Sequence, residues 1–219
     1  MVSKEYVKFD KIIFDWDGTL SLCEGMDVLA KICGADEKYI ASITEDGMNG
    51  KIDFRKSFEL RIEHLKPNLL DLEKLSNVYF DKLLKNLKEF ILEVTAARVY
   101  IISCGIRQSI LSVTRKLGLK DGHVYAIDLQ FDENGNYELY DQGAELLLEN
   151  GKAELIKKIN IEKKGKSIFF GDGANDLSAL CVVDKFIGFG GYAQRQIVKE
   201  RAHEFIVTPD AMDFISCLK

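Results

Sequence analysis

The chain has 219 residues, 47% of them hydrophobic and 30% charged, and a net charge of −5. It is long enough to bury a core without disulfide staples, and its acidic balance without a basic stripe argues against nucleic acid as a partner. No apolar run is long enough for a bilayer, the first residues lack a secretory apolar segment, and five scattered cysteines without a C-x-x-C pair fit a cytoplasmic protein with free thiols better than a disulfide framework or zinc site.

Residues 7–14 read as a buried strand, apolar with aromatic and β-branched members. The strand runs straight into Asp15-Trp16-Asp17-Gly18-Thr19-Leu20. Side chains alternate along a strand, so Asp15 and Asp17 share a side and Trp16 takes the other. Gly18 allows a sharp turn there. Residues 25–33 and 36–48 suggest two amphipathic helices, and Asp53 caps a third over 54–66 that Pro67 ends. Residues 69–80 and 81–94 keep a helical rhythm, with Leu83, Leu84, Leu87, Phe90, Ile91 and Val94 on one face, and 93–97 prolong it. The stretch 21–97 is therefore nearly all helix, which predicts a helical cap inserted into something else.

From Arg98 onward the pattern changes. Strands are expected at 98–102, 124–131, 137–140, 166–170, 185–189 and 204–207, with a hairpin turn at 133–136. Helices are expected from 105 to 117 and over 152–160, 175–183, 192–201 and 209–218. Alternating strands and helices predict an α/β fold, a doubly wound, mostly parallel sheet. Ligands of such sheets bind beyond the carboxyl ends of the strands, so the loops to watch follow Phe14, Ile102 and Phe170.

Those loops hold Asp15 and Asp17, then Ser103, then Asp172, Asn175 and Asp176, while Lys152 opens the preceding helix. Paired carboxylates aimed into one crevice repel unless a cation or a shared proton is present. Carboxylates with room for water suit a hard, oxygen-ligated ion such as Mg²⁺. A lysine, a hydroxyl and main-chain N–H groups can hold phosphate oxygens. Each residue alone has a plainer account: Ser103 as a turn hydroxyl, Lys152 as a solvated helix residue, Asp172 and Asp176 as loop and cap residues. Their shared order after strand signals favours phosphoryl transfer. Phe54, Phe58, Arg61 and Leu65 share one helix face, where Arg61 is either a snorkelling edge residue or an anion ligand. His64, His123 and His203 are scattered and read as surface or packing residues.

Taken together, Asp15-Trp16-Asp17-Gly18-Thr19, Ser103, Lys152 and Gly171-Asp172-Gly173-Ala174-Asn175-Asp176 resemble the haloacid dehalogenase superfamily, in its aspartate-nucleophile phosphatase branch. The likeness spans nearly the whole chain. The wording around Lys152, around Asp172 and over 48–54 is similar to the phosphoserine phosphatase family. The resemblance implies a Rossmann-like core at 1–20 and 98–219 with a helical cap at 21–97. It implies that Asp15 is the nucleophile, forming an aspartyl-phosphate, and that Asp17 is the acid and then the base. Mg²⁺ is expected on the Asp15 carboxylate, the Asp17 main-chain carbonyl and Asp172, with Asp176 behind them. Ser103, the Cys104 N–H and Lys152 are expected to hold the phosphoryl group. The same likeness assigns Arg61 to a substrate carboxylate, Glu24 to an ammonium, and Met48 and Phe54 to apolar contacts, with Asn175 nearby. A small phosphorylated metabolite is the expected partner, O-phosphoserine first. Another small phosphate ester, or transfer to an alcohol, remains open, as does a monomer against a homodimer. The chain departs from the family at Ser103-Cys104-Gly105-Ile106, where Ser-Gly-Gly-Phe is usual. It also departs at 93–97, where a helix stands in place of a Pro- and Gly-containing link.

Overall fold

The structure, a computed structural model, describes residues 8–48 and 51–219. Its strands are β1 (Lys11–Phe14), β2 (Val99–Ile106), β3 (Val124–Ile127), β4 (Leu129–Phe131), β5 (Tyr137–Tyr140), β6 (Ser167–Gly171), β7 (Lys185–Phe189) and β8 (Glu204–Ile206). Six of them form one parallel sheet in the order β3-β2-β1-β6-β7-β8, and β4 and β5 form a separate antiparallel hairpin. β1 is central and buried along its whole length. A strand covered on both faces has no polar side to show, which is why 11–14 read as an apolar run rather than an alternation.

Lys11 is the exception in that run. It is fully buried, and its Nζ donates to the carbonyls of Lys163 (2.6 Å) and Gly165 (2.7 Å). Those carbonyls lie just past the end of α7 (Gly151–Glu162), so a lysine serves as a remote C-terminal cap. Phe14, Phe90, Phe170 and Phe214 pack ring against ring at 4.7 to 5.8 Å beside the sheet.

Among the described residues five α-helices come between β1 and β2, and the first four pack on one another: α1 (Gly25–Cys33), α2 (Glu37–Met48), α3 (Phe54–Leu65) and α4 (Leu69–Asp81). The Asp53 side chain accepts from Lys56 N at the start of α3, as its position suggests. α5 (Leu87–Val94) instead sets Phe90 against Phe14 of the sheet. After β2 come α6 (Arg107–Lys116), α7 and α8 (Gln196–Arg201). The β4–β5 hairpin meets α3: Phe58 and Tyr140 stack edge to face at 5.3 Å, and Tyr140 donates to Glu59 at 2.9 Å.

Several expectations need correction. The helical rhythm of 81–94 is broken: α4 ends at Asp81, and Leu83 lies in an isolated bridge to Ser21. Residues 93–97 do not continue a helix, because Thr95 takes φ +74° and a single 3₁₀ turn, Ala96–Arg98, leads into β2. The strand read as 124–131 is two strands, β3 joining the sheet and β4 the hairpin. β2 does not end at Ile102; it continues to Ile106 with a register shift against β3. Two helices, over Ala174–Cys181 and Ala211–Leu218, are 3₁₀ rather than α. In each case hydrophobic spacing was right and the hydrogen-bonding partner, set by tertiary contacts, was not readable from it. Residue 7 of the first strand lies outside the described residues.

Candidate active site

Strand register assembles the site. Phe14 pairs with Ile101 on one side and Phe170 on the other. Asp15 follows Phe14 by one residue, Ser103 follows Ile101 by two, and Asp172 follows Phe170 by two. Asp15 and Asp172 therefore leave the same end of adjacent parallel strands, and Ser103 stands abreast of them within β2. Asp15 N donates to Phe170 O at 2.9 Å, which pins the first carboxylate to the neighbouring strand. Asp15, Asp17, Glu24, Phe54, Arg61, Ser103, Cys104, Asp172 and Asn175 line one cavity. The cavity shares Phe54, Arg61 and Asn175 with a wider cleft of about 980 Å³ reaching along α3 and α7.

Asp15, Asp172 and Asp176 each offer a carboxylate oxygen within 4.8 Å of the others, and all three are buried. Three hard oxygen donors this close suit a divalent cation of the Mg²⁺ kind. Burial, then the neighbouring carboxylates, push Asp172 up to about 7, against the pull of Arg195. Burial and Asp15 push Asp176 to about 7 as well, against Lys152. Such crowding is what a cation relieves. Gly18 makes the approach possible: at φ +69°, a Cβ there would fall 2.5 Å from Asp172 Oδ2. Thr19 Oγ1 donates to Asp172 Oδ1 at 3.0 Å.

Lys152 comes in from the first turn of α7, almost fully buried. Its Nζ lies 2.8 Å from Asp15 Oδ2 and 2.5 Å from Asp176 Oδ1. Burial alone would lower the ammonium's pKa, but Asp15 and Asp176 outweigh it and hold it above the ordinary lysine range. Asp17 turns elsewhere. Its Oδ1 accepts from Tyr79 Oη at 2.8 Å and from Gly25 N at 2.9 Å. Burial pushes Asp17 up to about 7; Tyr79 opposes that and Asp15 adds to it.

Arg61 is buried at the cavity wall, donating through Nε to Ser57 O (3.1 Å) and through Nη1 to Thr44 Oγ1 (3.3 Å). Burial lowers its pKa, with Glu24 and Asp27 acting the other way. Glu24, at the N-cap of α1, is pushed up to about 8 by burial and Asp17, against Arg195. Ser103 accepts from Gly105 N at 3.0 Å. Cys104 is no reactive thiol: burial pushes it up to about 12, and its sulfur lies 3.6 Å from both Leu146 O and Asn175 Nδ2. The side chain of Met48 lies outside the described residues. His203 Nδ1 accepts from Phe186 N and His123 stacks on Tyr100, both away from the cavity.

Two site residues escaped sequence reading. Arg195, in the loop after β7, donates to both the main-chain and side-chain oxygens of Asp172, and its Nη2 lies 3.2 Å from Glu24 Oε1. Its signal was available, since that loop also leaves the carboxyl edge of the sheet. Tyr79, on a helix sixty-two residues from Asp17, carried no signal at all.

Residues 9–183 match the haloacid dehalogenase-like hydrolases, and the chain belongs to that family, as a phosphoric monoester hydrolase. Within it, the chain is 32% identical over 212 residues to phosphoserine phosphatase of Bos taurus, covering 95% of this chain and 92% of that one. It is likewise 32% identical over 218 residues to phosphoserine phosphatase of Homo sapiens, covering 98% and 94%. A solved phospho-aspartyl intermediate analogue of phosphoserine phosphatase superposes with a TM-score of 0.80 at 28% identity, covering 97% of this chain and 100% of that chain.

Proposed function

We propose that the chain hydrolyses O-phosphoserine to serine and phosphate, with Mg²⁺ as cofactor and Asp15 as the phosphorylated nucleophile. The observation that carries this reading is one cavity lined both by acids of the carboxyl edge, Asp15, Asp17 and Asp172, and by the buried Arg61. Bound by Asp15, Asp172 and the Asp17 main-chain carbonyl, with Asp176 behind, Mg²⁺ would neutralise the crowded carboxylates and draw charge from phosphoryl oxygens.

The chain's own residues then divide the work. Asp15 attacks phosphorus and the ester P–O bond breaks. Asp17, whose acid form burial favours, gives its proton to the departing serine oxygen. The resulting carboxylate takes a proton from the water that attacks the aspartyl-phosphate, and free phosphate leaves. Lys152 and Ser103 hold phosphoryl oxygens, with the Cys104 N–H, and Lys152 also restrains Asp15. Arg61 pairs with the substrate carboxylate, Glu24 faces the ammonium, and Phe54 covers the apolar part. Residues 21–97 act as a cap over a core of 1–20 and 98–219, the cleft between α3 and α7 admitting substrate and closure excluding water. Five unpaired cysteines favour a reducing, cytoplasmic setting. Among the described residues, no helix is long and apolar enough to cross a membrane.

The test is phosphate release from O-phosphoserine and a panel of small phosphate esters, with Mg²⁺ or chelator, with and without alcohol acceptors. Preferred release from O-phosphoserine that chelator stops, and that Asp15→Asn abolishes, is expected. A clear preference for another ester, or transfer to an acceptor outrunning hydrolysis, would replace this reading.

A further inference from the structure

The two carboxylate oxygens of Asp17 have different surroundings. Oδ1 takes both donors, Tyr79 Oη at 2.8 Å and Gly25 N at 2.9 Å. Oδ2 faces Gly105, where an added Cβ would lie 2.6 Å from it and 3.2 Å from Ser103 Oγ. The free oxygen is thus on the side of Ser103, where phosphate is held under the proposed reaction. Tyr79 is itself held in place. It is fully buried in the last turns of α4, its ring meets Trp16 edge to face at 5.7 Å, and Ser21 Oγ donates to its carbonyl at 3.1 Å. Its approach also dictates a neighbour: a Cβ on Gly25 would fall 2.0 Å from the Tyr79 hydroxyl.

We propose that Tyr79 is the positioning residue of the acid–base step: it holds Asp17 by Oδ1, so that Oδ2 alone delivers and recovers the proton. This rests on the reading of Asp17 as acid and base. In the first half-reaction the Asp17 Oδ2–H proton passes to the serine oxygen as its bond to phosphorus breaks. In the second, Oδ2 takes a proton from the water whose oxygen bonds to phosphorus while the Asp15 acyl-phosphate bond breaks. Tyr79 keeps its own proton in both. Its hydroxyl serves only as the donor to Asp17 Oδ1, at 2.8 Å. A fixed donor on Oδ1 also stabilises the carboxylate formed between the two steps. The cap thereby reaches into the chemistry: α4 touches the acid directly, and any shift of that helix loosens Asp17.

The test is Tyr79→Phe, which keeps the ring and removes the donor. For O-phosphoserine, kcat is expected to fall roughly 10- to 100-fold, the worth of one hydrogen bond to a charged group, while KM changes less than about two-fold. For p-nitrophenyl phosphate, whose leaving group needs little protonation, kcat/KM is expected to fall no more than a few-fold. A merely structural role would lower both substrates alike. Unchanged kcat on O-phosphoserine, or equal losses on both esters, would overturn the proposal. Asp17→Asn separates it from the reading beneath it. If that variant still turns over O-phosphoserine, both fail; if it is inactive while Tyr79→Phe is normal, only the role of Tyr79 fails. Gly25→Ala gives a second route that does not depend on how well Tyr79→Phe folds. It is expected to lower the melting temperature and kcat in the Tyr79 protein and to be much milder combined with Tyr79→Phe, where the colliding hydroxyl is gone. Equal effects in both backgrounds would show that Tyr79 and Gly25 do not meet at Asp17.

Discussion

Arg61 is a guanidinium only 8% exposed, with a carbonyl and a hydroxyl as its acceptors and, among the described residues, no carboxylate in an ion pair with it. A buried cation without a counter-ion is costly and persists where a ligand supplies the missing charge. Arg61→Ala is therefore expected to lower kcat/KM for O-phosphoserine by about 10²- to 10³-fold, as truncating one side of a buried charge pair does. p-Nitrophenyl phosphate, which has no carboxylate to grip, should change only a few-fold, and the melting temperature should hold or rise. Steady-state kinetics on both esters checks this, and similar losses would dismiss a carboxylate clamp. Of the residues in the cavity, Asp15, Asp17 and Asp172 were legible because each stands one to three positions past a strong strand signal. Arg61 was legible only as an odd charge on an apolar stripe. Arg195 was passed over although its loop leaves the carboxyl edge of the sheet, and Tyr79 was not legible, because it acts on Asp17 from sixty-two residues away and no local pattern points to it.

At the level of elements, β1 and α7 depend on each other. β1 carries Asp15 and α7 carries Lys152, and Lys11 joins the strand to the end of the helix through the carbonyls of Lys163 and Gly165. Burial lowers the pKa of Lys11, as expected for a charge in the core. Lys11→Met keeps the bulk and leaves the two partly buried carbonyls without that donor. It should cost about 1–3 kcal/mol by urea unfolding, with kcat nearly unchanged at low denaturant. A neutral effect would mean that water satisfies those carbonyls equally well. The elements misread from sequence share a cause. The spacing of apolar residues in 81–94 and 124–131 is real, yet Leu83 bridges to Ser21 and β4 leaves the sheet for β5, because a distant strand or bend offers the backbone a better partner. Thr95, at φ +74°, breaks a helix that its neighbours would have continued.

For the whole molecule, the acid cluster couples stability to pH and to cation. Burial raises Asp17, Asp172 and Asp176 to about 7 and Glu24 to about 8, from the ordinary carboxylate range near 4. Between those limits the folded chain holds more protons than the unfolded one. The stabilisation from these groups is therefore complete below the unfolded pKa and lost as pH rises through about 7 to 8. A divalent cation would replace those protons. The gap in melting temperature between Mg²⁺-loaded and chelated protein should be small at pH 5 and widen by pH 7.5, as followed by circular dichroism. A gap that does not grow with pH would count against cation binding by this cluster.

The amino-acid order by itself determined the parallel sheet, the helical insertion after the first strand and the acids at its carboxyl edge. Those features rest on local hydrophobic period and on residues that immediately follow strands. Tertiary structure alone decided which carboxylate oxygens meet, which lysine pairs with Asp15, and that a tyrosine from the helical insertion holds Asp17. The physical reason is that hydrogen-bond partners and buried charge are chosen across space, after packing has brought together segments that share no pattern in the chain.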